Sequence, residues 1–221
     1  MRSVCSLIAV VVVLWVSASG RAETRTLQNG LSITPYPTTY PNESYNYYGT
    51  QDATISPAQP DANFGRATLT LDAAAGTKVL IQFRELHRAI GPHKQITFAS
   101  LRLHPVAGAW SLGNSVRVYR LLQPWRQGSM EAVPQPQHWA CSWNHRFYSA
   151  RPGEALTWAA PGAAMAGVDR ASAPTVVTTT SANYNASAGT WQINGLGQDV
   201  AIFYAAQHRN FGWVIEFDGT P

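Results

Sequence analysis

Three of the eight tryptophans of this 221-residue chain lie in residues 126–190 and a fourth, Trp125, directly precedes them. This stretch is rich in Gly, Pro, Ala and Ser and also contains Tyr and Arg. Flat aromatic rings offer apolar faces on which sugars can stack, and Arg groups bind carboxylates in a bidentate manner. Aromatic and Arg side chains in long loops are also frequent contact residues of binding sites. The pattern predicts a sugar-binding surface drawn from Trp125, Trp139, Trp143, Trp158, Arg146 and Tyr148.

Within that set, the predicted ligand contacts are Trp143, Arg146, Tyr148 and Trp158. Trp125 follows Pro124 at the end of a strand pattern and is expected to pack in the core, because Trp is highly buried on average. Lys78 and Lys94 are the only lysines, so nearly all cations are Arg. Because Arg suits carboxylates, the composition allows an acidic polymer as the ligand.

Metal-ligand residue types also occur in this stretch, at His138, Cys141 and His145. A closed zinc site needs four ligands and no partner motif accompanies these three, so a polar loop around one buried thiol is the favoured interpretation. Oxygen ligands for a structural calcium ion could come from four aspartates, although turns explain two of them equally well. These residues are Asp52, Asp61, Asp169 and Asp218.

An acid stands two residues from a second group that could share its chemistry at two places. Glu85 is two residues before His87, and Glu216 is two residues before Asp218. The chain has no G-x-S-x-G motif, no H-E-x-x-H motif and no phosphate-binding loop. We therefore predict a protein that is not an enzyme, and a hydrolase or lyase ranks last among the hypotheses.

The first 22 residues have the layout of a secretory signal peptide. Arg2 supplies the positive charge, residues 7–16 form an apolar run, and small residues allow cleavage after Ala18 or Ala22. The run is shorter than the roughly 20 residues that cross a bilayer. Cleavage would leave 14 cations against 12 anions, a charge too small to indicate nucleic-acid binding. We predict a secreted, extracellular or periplasmic protein whose one remaining cysteine, Cys141, cannot form an internal disulfide.

Short segments rich in β-branched and aromatic residues, separated by Gly, Pro, Asn and Asp, recur at the spacing of an all-β sandwich. They lie at residues 52–65, 67–71, 78–83, 96–105 and 115–125. Residues 126–190 are too apolar for a disordered linker, so we expect them to fold over the sandwich and to contain a strand near 176–184. A Tyr- and Pro-rich arm (23–50) precedes the predicted domain (51–218).

Several motifs follow one another in this domain: D-A-T-I, P-x-A-N-F-G, L-I-Q-F, A-S-L-R-L and V-R-V-Y-R-L-x-x-P-W, then C-S-W-N-H-R, W-A-A-P-G, G-V-D and N-F-G-W-V-I. In this order they resemble the DNRLRE domain, also classified as carbohydrate-binding module family 96 and related to disaggregatase repeats. The resemblance covers roughly residues 51–218. The sequence departs from the family at residues 83–86, where F-R-E-L replaces the usual F-D-L.

The resemblance implies a jelly-roll-like antiparallel β-sandwich, here with a long loop-rich insertion, in a secreted or cell-surface protein. Some family members bind acidic polysaccharide such as alginate, and sandwiches of this type often carry a structural calcium ion. We therefore predict a secreted, non-catalytic carbohydrate-binding module whose partner is a polysaccharide or a cell-surface glycan. The alternative is a structural or adhesive protein of the cell surface or extracellular matrix without a specific sugar ligand. The oligomeric state stays open.

Overall fold

The computed structural model describes residues 4–18, 21–33, 45–106, 111–130 and 136–218. Short strands separated by turns make up most of the regular structure. In chain order the strands within these ranges are β1 (Val4–Ala18), β2 (Arg21–Leu27), β3 (Ser32–Ile33), β4 (Tyr45–Asn46), β5 (Thr50–Ile55), β6 (Leu69–Asp72), β7 (Lys78–Phe83), β8 (Gln95–Pro105), β9 (Ser115–Arg120), β10 (His145–Phe147), β11 (Leu156–Thr157), β12 (Val176–Thr179), β13 (Tyr184–Asn185), β14 (Thr190–Ile193) and β15 (Trp213–Phe217). The helices are α1 (Leu86–Ile90), α2 (Gly197–Ala205) and a 3-10 turn (Gln207–Arg209).

Two antiparallel sheets form the body of the molecule. The first has the order β13-β14-β8-β1-β2, and β6 also pairs with β1. The second has the order β12-β9-β15-β7-β5. Two small hairpins, β3-β4 and β10-β11, lie outside both sheets. The all-β antiparallel sandwich that the sequence predicts is confirmed.

The space between the sheets holds the larger apolar core, which we call the interior core. Alternation along β7 sends Val79, Ile81 and Phe83 into it, because successive strand side chains point to opposite faces. The facing sheet contributes from β6, β8 and β14. Its members include Leu71, Leu101, Leu103, Trp191 and Ile193.

A second apolar cluster, the outer core, covers the opposite face of the five-stranded sheet. Leu80, Tyr119 and Val214 reach it from β7, β9 and β15. Residues 126–130 and 136–175 fold over this face and contribute Cys141 and Trp158. We call these residues the covering segment. The expected strand that follows the covering segment is present as β12. With one core on each side of the sheet, the strands β7 and β15 are buried on both faces.

The predicted signal peptide coincides with β1, which lies inside the first sheet and pairs with β8, β2 and β6. Residues 1–3 and 19–20 of that peptide, and residues 34–44 of the Tyr-rich arm, lie outside the described residues. Among the helices that the structure describes, none has the length and apolar character needed to cross a membrane.

Candidate ligand-binding groove

A polar groove lies at one end of the five-stranded sheet, where β7 and β9 end and β5 and β15 begin. Two adjoining cavities of about 400 and 380 Å³ form it, and they share Gln51 and Arg126. We call it the arginine groove. Its lining includes Gln51, Gln82, Arg84, Trp125, Arg126, Gln127, Ser129, Gln137, His138, Trp139, Phe147, Gln207, His208, Asn210 and Phe211.

Arg84 stands immediately after β7 with its backbone fixed on both sides. Its N–H donates to the Gly49 carbonyl at 2.8 Å, and its own carbonyl accepts from the Tyr47 hydroxyl at 2.7 Å. The side chain is exposed and makes no hydrogen bond or ion pair with another described residue. Arg84 is therefore an anchored cation that is free to bind a ligand.

Arg126 is the second cation of the groove. Its carbonyl accepts from the Cys141 N–H at 2.8 Å, which joins the two parts of the covering segment. The preceding Trp125 is buried and its indole N–H donates to the Phe211 carbonyl at 2.8 Å. The exposed Arg126 guanidinium has no hydrogen-bonding or charged partner in the described part of the chain. Its backbone, like that of Arg84, is positioned before any ligand arrives.

The floor of the groove is built from side-chain amides. Gln82 is buried and donates to the Asn210 carbonyl, and the Asn210 amide donates to the Phe83 carbonyl at 2.6 Å. Next to them Gly212 has φ of +74°, and a Cβ there would lie 1.9 Å from the Ile81 carbonyl oxygen. Only glycine fits this close strand crossing, so the local backbone holds the amides in place.

No carboxylate lines either cavity of the groove within the described residues. Two acids lie beside the groove. Glu85 lines an adjoining cavity that shares Arg84 with the groove, and it pairs with Arg88 at 3.7 Å. Asp52 is half-buried and accepts from the Gln127 amide at 3.3 Å. Burial raises the pKa of Asp52 to about 6. With two exposed guanidinium groups and no carboxylate among the described residues that line its two cavities, the groove favours anionic ligands.

The structure corrects one predicted ligand contact, Trp158. Its side chain is only 3% exposed, and its indole N–H donates to the Ser142 carbonyl at 3.0 Å. Both ring faces belong to the outer core, so the ring cannot stack on a ligand. Trp158 is a structural residue of the covering segment.

Trp143 is half-buried rather than exposed, and its ring lies 5.1 Å from the Lys78 ammonium nitrogen. Gly162 closes against the ring, because a Cβ at that position would lie 2.6 Å from the indole carbons. Trp143 therefore packs partly against the fold, and it does not line the arginine groove. The cation–π contact instead helps to hold the covering segment on the sheet.

Arg146 and Tyr148 are also half-buried. The Arg146 guanidinium donates to the Thr157 carbonyl at 3.1 Å and to the Pro124 carbonyl at 3.4 Å, and burial lowers its pKa. Tyr148 packs edge-on against His145. The structure therefore does not present Trp143, Arg146 and Tyr148 as one exposed surface. Between Arg146 and Tyr148 on the chain, Phe147 lines the groove instead.

Sequence analysis did not predict Arg84 or Arg126 as site residues. The sequence contained a signal for only one of them. Arg84 stands in the F-R-E-L stretch, at the point where the sequence departs from the family's F-D-L. Replacing an acid with a cation after a buried strand changes the charge at the strand end. Arg126 had no such signal, because only the fold places it beside Gln51.

The acidic residues proposed for calcium do not come together. Within the described residues no group of three or more His, Cys, Asp or Glu side chains could hold a metal ion. Asp169 is buried, and its carboxylate accepts backbone N–H groups from Ala159, Ala160 and Met165. Asp218 pairs with Arg117 at 2.8 Å. Asp169 and Asp218 therefore have partners within the protein, and the four aspartates do not form one oxygen-ligand cluster among the described residues.

The remaining chemical candidates are also engaged in the fold. Cys141 is buried, and loss of solvation raises the pKa of its thiol to about 12. Glu216 is buried between the Lys78 ammonium at 3.0 Å and the Arg170 guanidinium at 2.7 Å. Glu85 is exposed and pairs with Arg88 at 3.7 Å.

Comparison with protein-family models, curated proteins and solved structures gives no match. The structure is that of an antiparallel β-sandwich with an arginine-lined groove. Membership of the DNRLRE family stays a prediction from the order of the motifs.

Proposed function

We propose that this protein is a secreted, non-catalytic carbohydrate-binding protein that holds an acidic polysaccharide in the arginine groove. One observation carries the proposal. The groove places the guanidinium groups of Arg84 and Arg126 among amides and aromatic rings. Among the described residues, neither guanidinium has a partner and no carboxylate lines the two cavities of the groove. A polymer of uronic acids offers the matching carboxylates, hydroxyl groups and apolar ring faces.

The chemistry of each lining group supports this ligand class. A guanidinium binds a carboxylate through two parallel hydrogen bonds, which gives direction as well as charge. The amides of Gln51 and Gln207 can donate to and accept from hydroxyl groups. Phe147 and Phe211 add half-buried apolar surface. Because the backbones of both arginines are already fixed, binding orders few groups and loses little entropy.

The groove supports binding rather than turnover. Glycoside hydrolysis needs a pair of carboxyl groups flanking the scissile bond, and no described residue of the groove supplies one. Glu216 is committed to Lys78 and Arg170 beneath the covering segment. A non-catalytic role is therefore part of the proposal.

Affinity electrophoresis through gels containing polygalacturonate or alginate tests the proposal. We expect retention of the wild-type protein, and a roughly 3- to 10-fold loss of affinity in Arg84→Ala or Arg126→Ala, because a hydrogen bond to a charged group contributes about 1.5–3 kcal/mol before solvent screening. Arg151→Ala is the matched control. It removes one exposed arginine that lines neither cavity of the groove.

Binding should also weaken as salt is added, since exposed charges are screened over about 10 Å at 0.1 M. Absence of retention on every acidic polymer would contradict the proposal and favour the structural or adhesive alternative. Equal losses in Arg151→Ala and the two groove variants would indicate a general charge effect and remove the groove from the proposal.

A further inference from the structure

The exposed end of the arginine groove carries an unusual turn. The Ala140 N–H donates to the Gln137 carbonyl at 3.0 Å, which closes a four-residue turn with Trp139 in its third position. Trp139 has φ of 60°, in the left-handed region. Glycine usually fills a turn position of this kind, because a side chain there is strained. A bulky tryptophan at this place is therefore an outlier of backbone conformation.

Neighbouring hydrogen bonds hold the turn in this conformation. The Trp139 N–H donates to the Tyr148 carbonyl at 2.6 Å, and the Tyr148 N–H donates to the Ala140 carbonyl at 3.0 Å. On the other side, the Gln137 amide donates to the Ser129 hydroxyl at 2.7 Å. The strain persists because contacts on both sides of the turn determine it. Strained residues held in this way concentrate at binding and active sites.

The strained residue presents its ring to solvent. Trp139 is 40% exposed, whereas Trp125, Trp158 and Trp213 are each 5% exposed or less. The rings of His138 and Phe147 stand nearly perpendicular to the indole, at centroid distances of 5.1 and 6.5 Å. The two neighbours restrict the orientation of the indole, which keeps an exposed surface and lines the groove.

Resting on the proposed function, we propose that Trp139 is the platform on which one sugar ring of the bound polymer stacks, beside the carboxylate that Arg126 binds. Both residues line the same cavity. An indole face contacts the apolar face of a sugar whether or not the sugar carries a charge. Trp139 should therefore contribute affinity for the ring, and Arg84 and Arg126 should contribute the preference for the acid.

Polygalacturonate and its fully methyl-esterified form separate these contributions, because they share the sugar ring and differ in charge. We expect Trp139→Gly to bind both polymers at least 10-fold more weakly, with Tm unchanged or higher, because glycine relieves the strained φ. Trp139→Tyr should recover part of the affinity. Arg126→Ala should lose affinity mainly for the acid form. Tyr48→Ala, which removes another exposed aromatic ring outside both cavities, is the matched control and should bind as the wild type does.

Three results would overturn the stacking role. If Trp139→Gly binds both polymers like the wild type while Arg84→Ala and Arg126→Ala lose affinity, the proposed function stands and the stacking role is wrong. If Trp139→Gly lowers Tm by 10 °C or more, the ring is structural. If the wild-type protein binds neither form, the proposed function fails and the stacking role fails with it.

Discussion

The two cores of this protein differ in how they bury polar groups. The interior core is formed mainly by facing strands, whose ladders already satisfy the backbone. The buried carboxylate beside it, Asp199, accepts from side chains, the Trp213 indole N–H at 2.8 Å and the Thr175 hydroxyl at 2.6 Å. The outer core lies under a covering segment with little regular structure. There, the buried Asp169 carboxylate accepts three backbone N–H groups that no strand ladder pairs. Lys78, Glu216 and Arg170 form an ion network in the same core.

This difference separates the part of the molecule that maintains the sandwich from the part that shapes the groove. A buried ion network is costly to assemble and fails sharply when one partner is removed. Arg126 and Trp139 both belong to the covering segment, so the outer core positions the proposed site. The interior core should tolerate modest apolar changes without any effect on binding.

The largest expected effect concerns β1, which is the strand that signal cleavage would remove. In a protein spanning residues 23–221, β8, β2 and β6 lose the strand with which they pair. The five-stranded sheet has no pairing with β1. We expect hydrogen exchange to show faster exchange of the β8 amides, while β9 and β15 stay protected and the groove still binds.

N-terminal sequencing of the exported protein completes that comparison. A mature chain that begins at Ser19 or Glu23 would confirm the signal peptide. A protein that still contains residues 4–18 would show that the prediction is wrong and that β1 is a permanent strand. Equal exchange rates in the full and shortened proteins would contradict the pairing role of β1.

The next effect separates the two cores at adjacent positions of β15. Glu216 points into the ion network of the outer core, and Ile215 points into the interior core. Glu216→Gln leaves two buried cations without their counter-charge, so we expect the free energy of unfolding to fall by about 3–5 kcal/mol. Ile215→Val should cost about 0.5–1.5 kcal/mol. Urea unfolding of both variants measures the difference, and equal losses would contradict the contrast between the cores.

Sequence alone predicts the strands of the sandwich well, because alternation is a local signal. The segment at residues 78–83 matches β7, and its alternating residues Val79, Ile81 and Phe83 share the face that packs in the interior core. Local pattern also suggests a strand near residue 176. Local pattern cannot predict that the covering segment buries Trp158, since this burial depends on contacts with residues far along the chain.

The candidate site was harder to predict for the same reason. Aromatic residues and Arg in a long loop suggested contacts at Trp143 and Arg146, yet both pack against other parts of the fold. The groove instead combines Gln51, Arg84 and Arg126, which are distant in sequence. Strand order at the end of the five-stranded sheet brings them together, and no spacing in the sequence encodes it.

The smallest expected effect is on the pH dependence of stability, and it tests Asp52, which accepts from Gln127 of the groove. Asp52 has a pKa of about 6 in the folded protein, against an ordinary value of 3.8. Between these values the folded state binds the proton more tightly than the unfolded state does. The contribution of Asp52 to stability is therefore present below about pH 4 and is lost as the pH rises through about 6.

Asp52→Asn removes this dependence and keeps an oxygen that can accept from the Gln127 amide. We expect the variant to match the wild type near pH 4 and to be more stable by about 1–2 kcal/mol at pH 7, after allowing for solvent screening. Urea unfolding of both proteins at pH 4, 5, 6 and 7 measures the difference, and the other carboxylates cancel in it. A difference that does not change with pH would show that Asp52 is not held in a desolvated site.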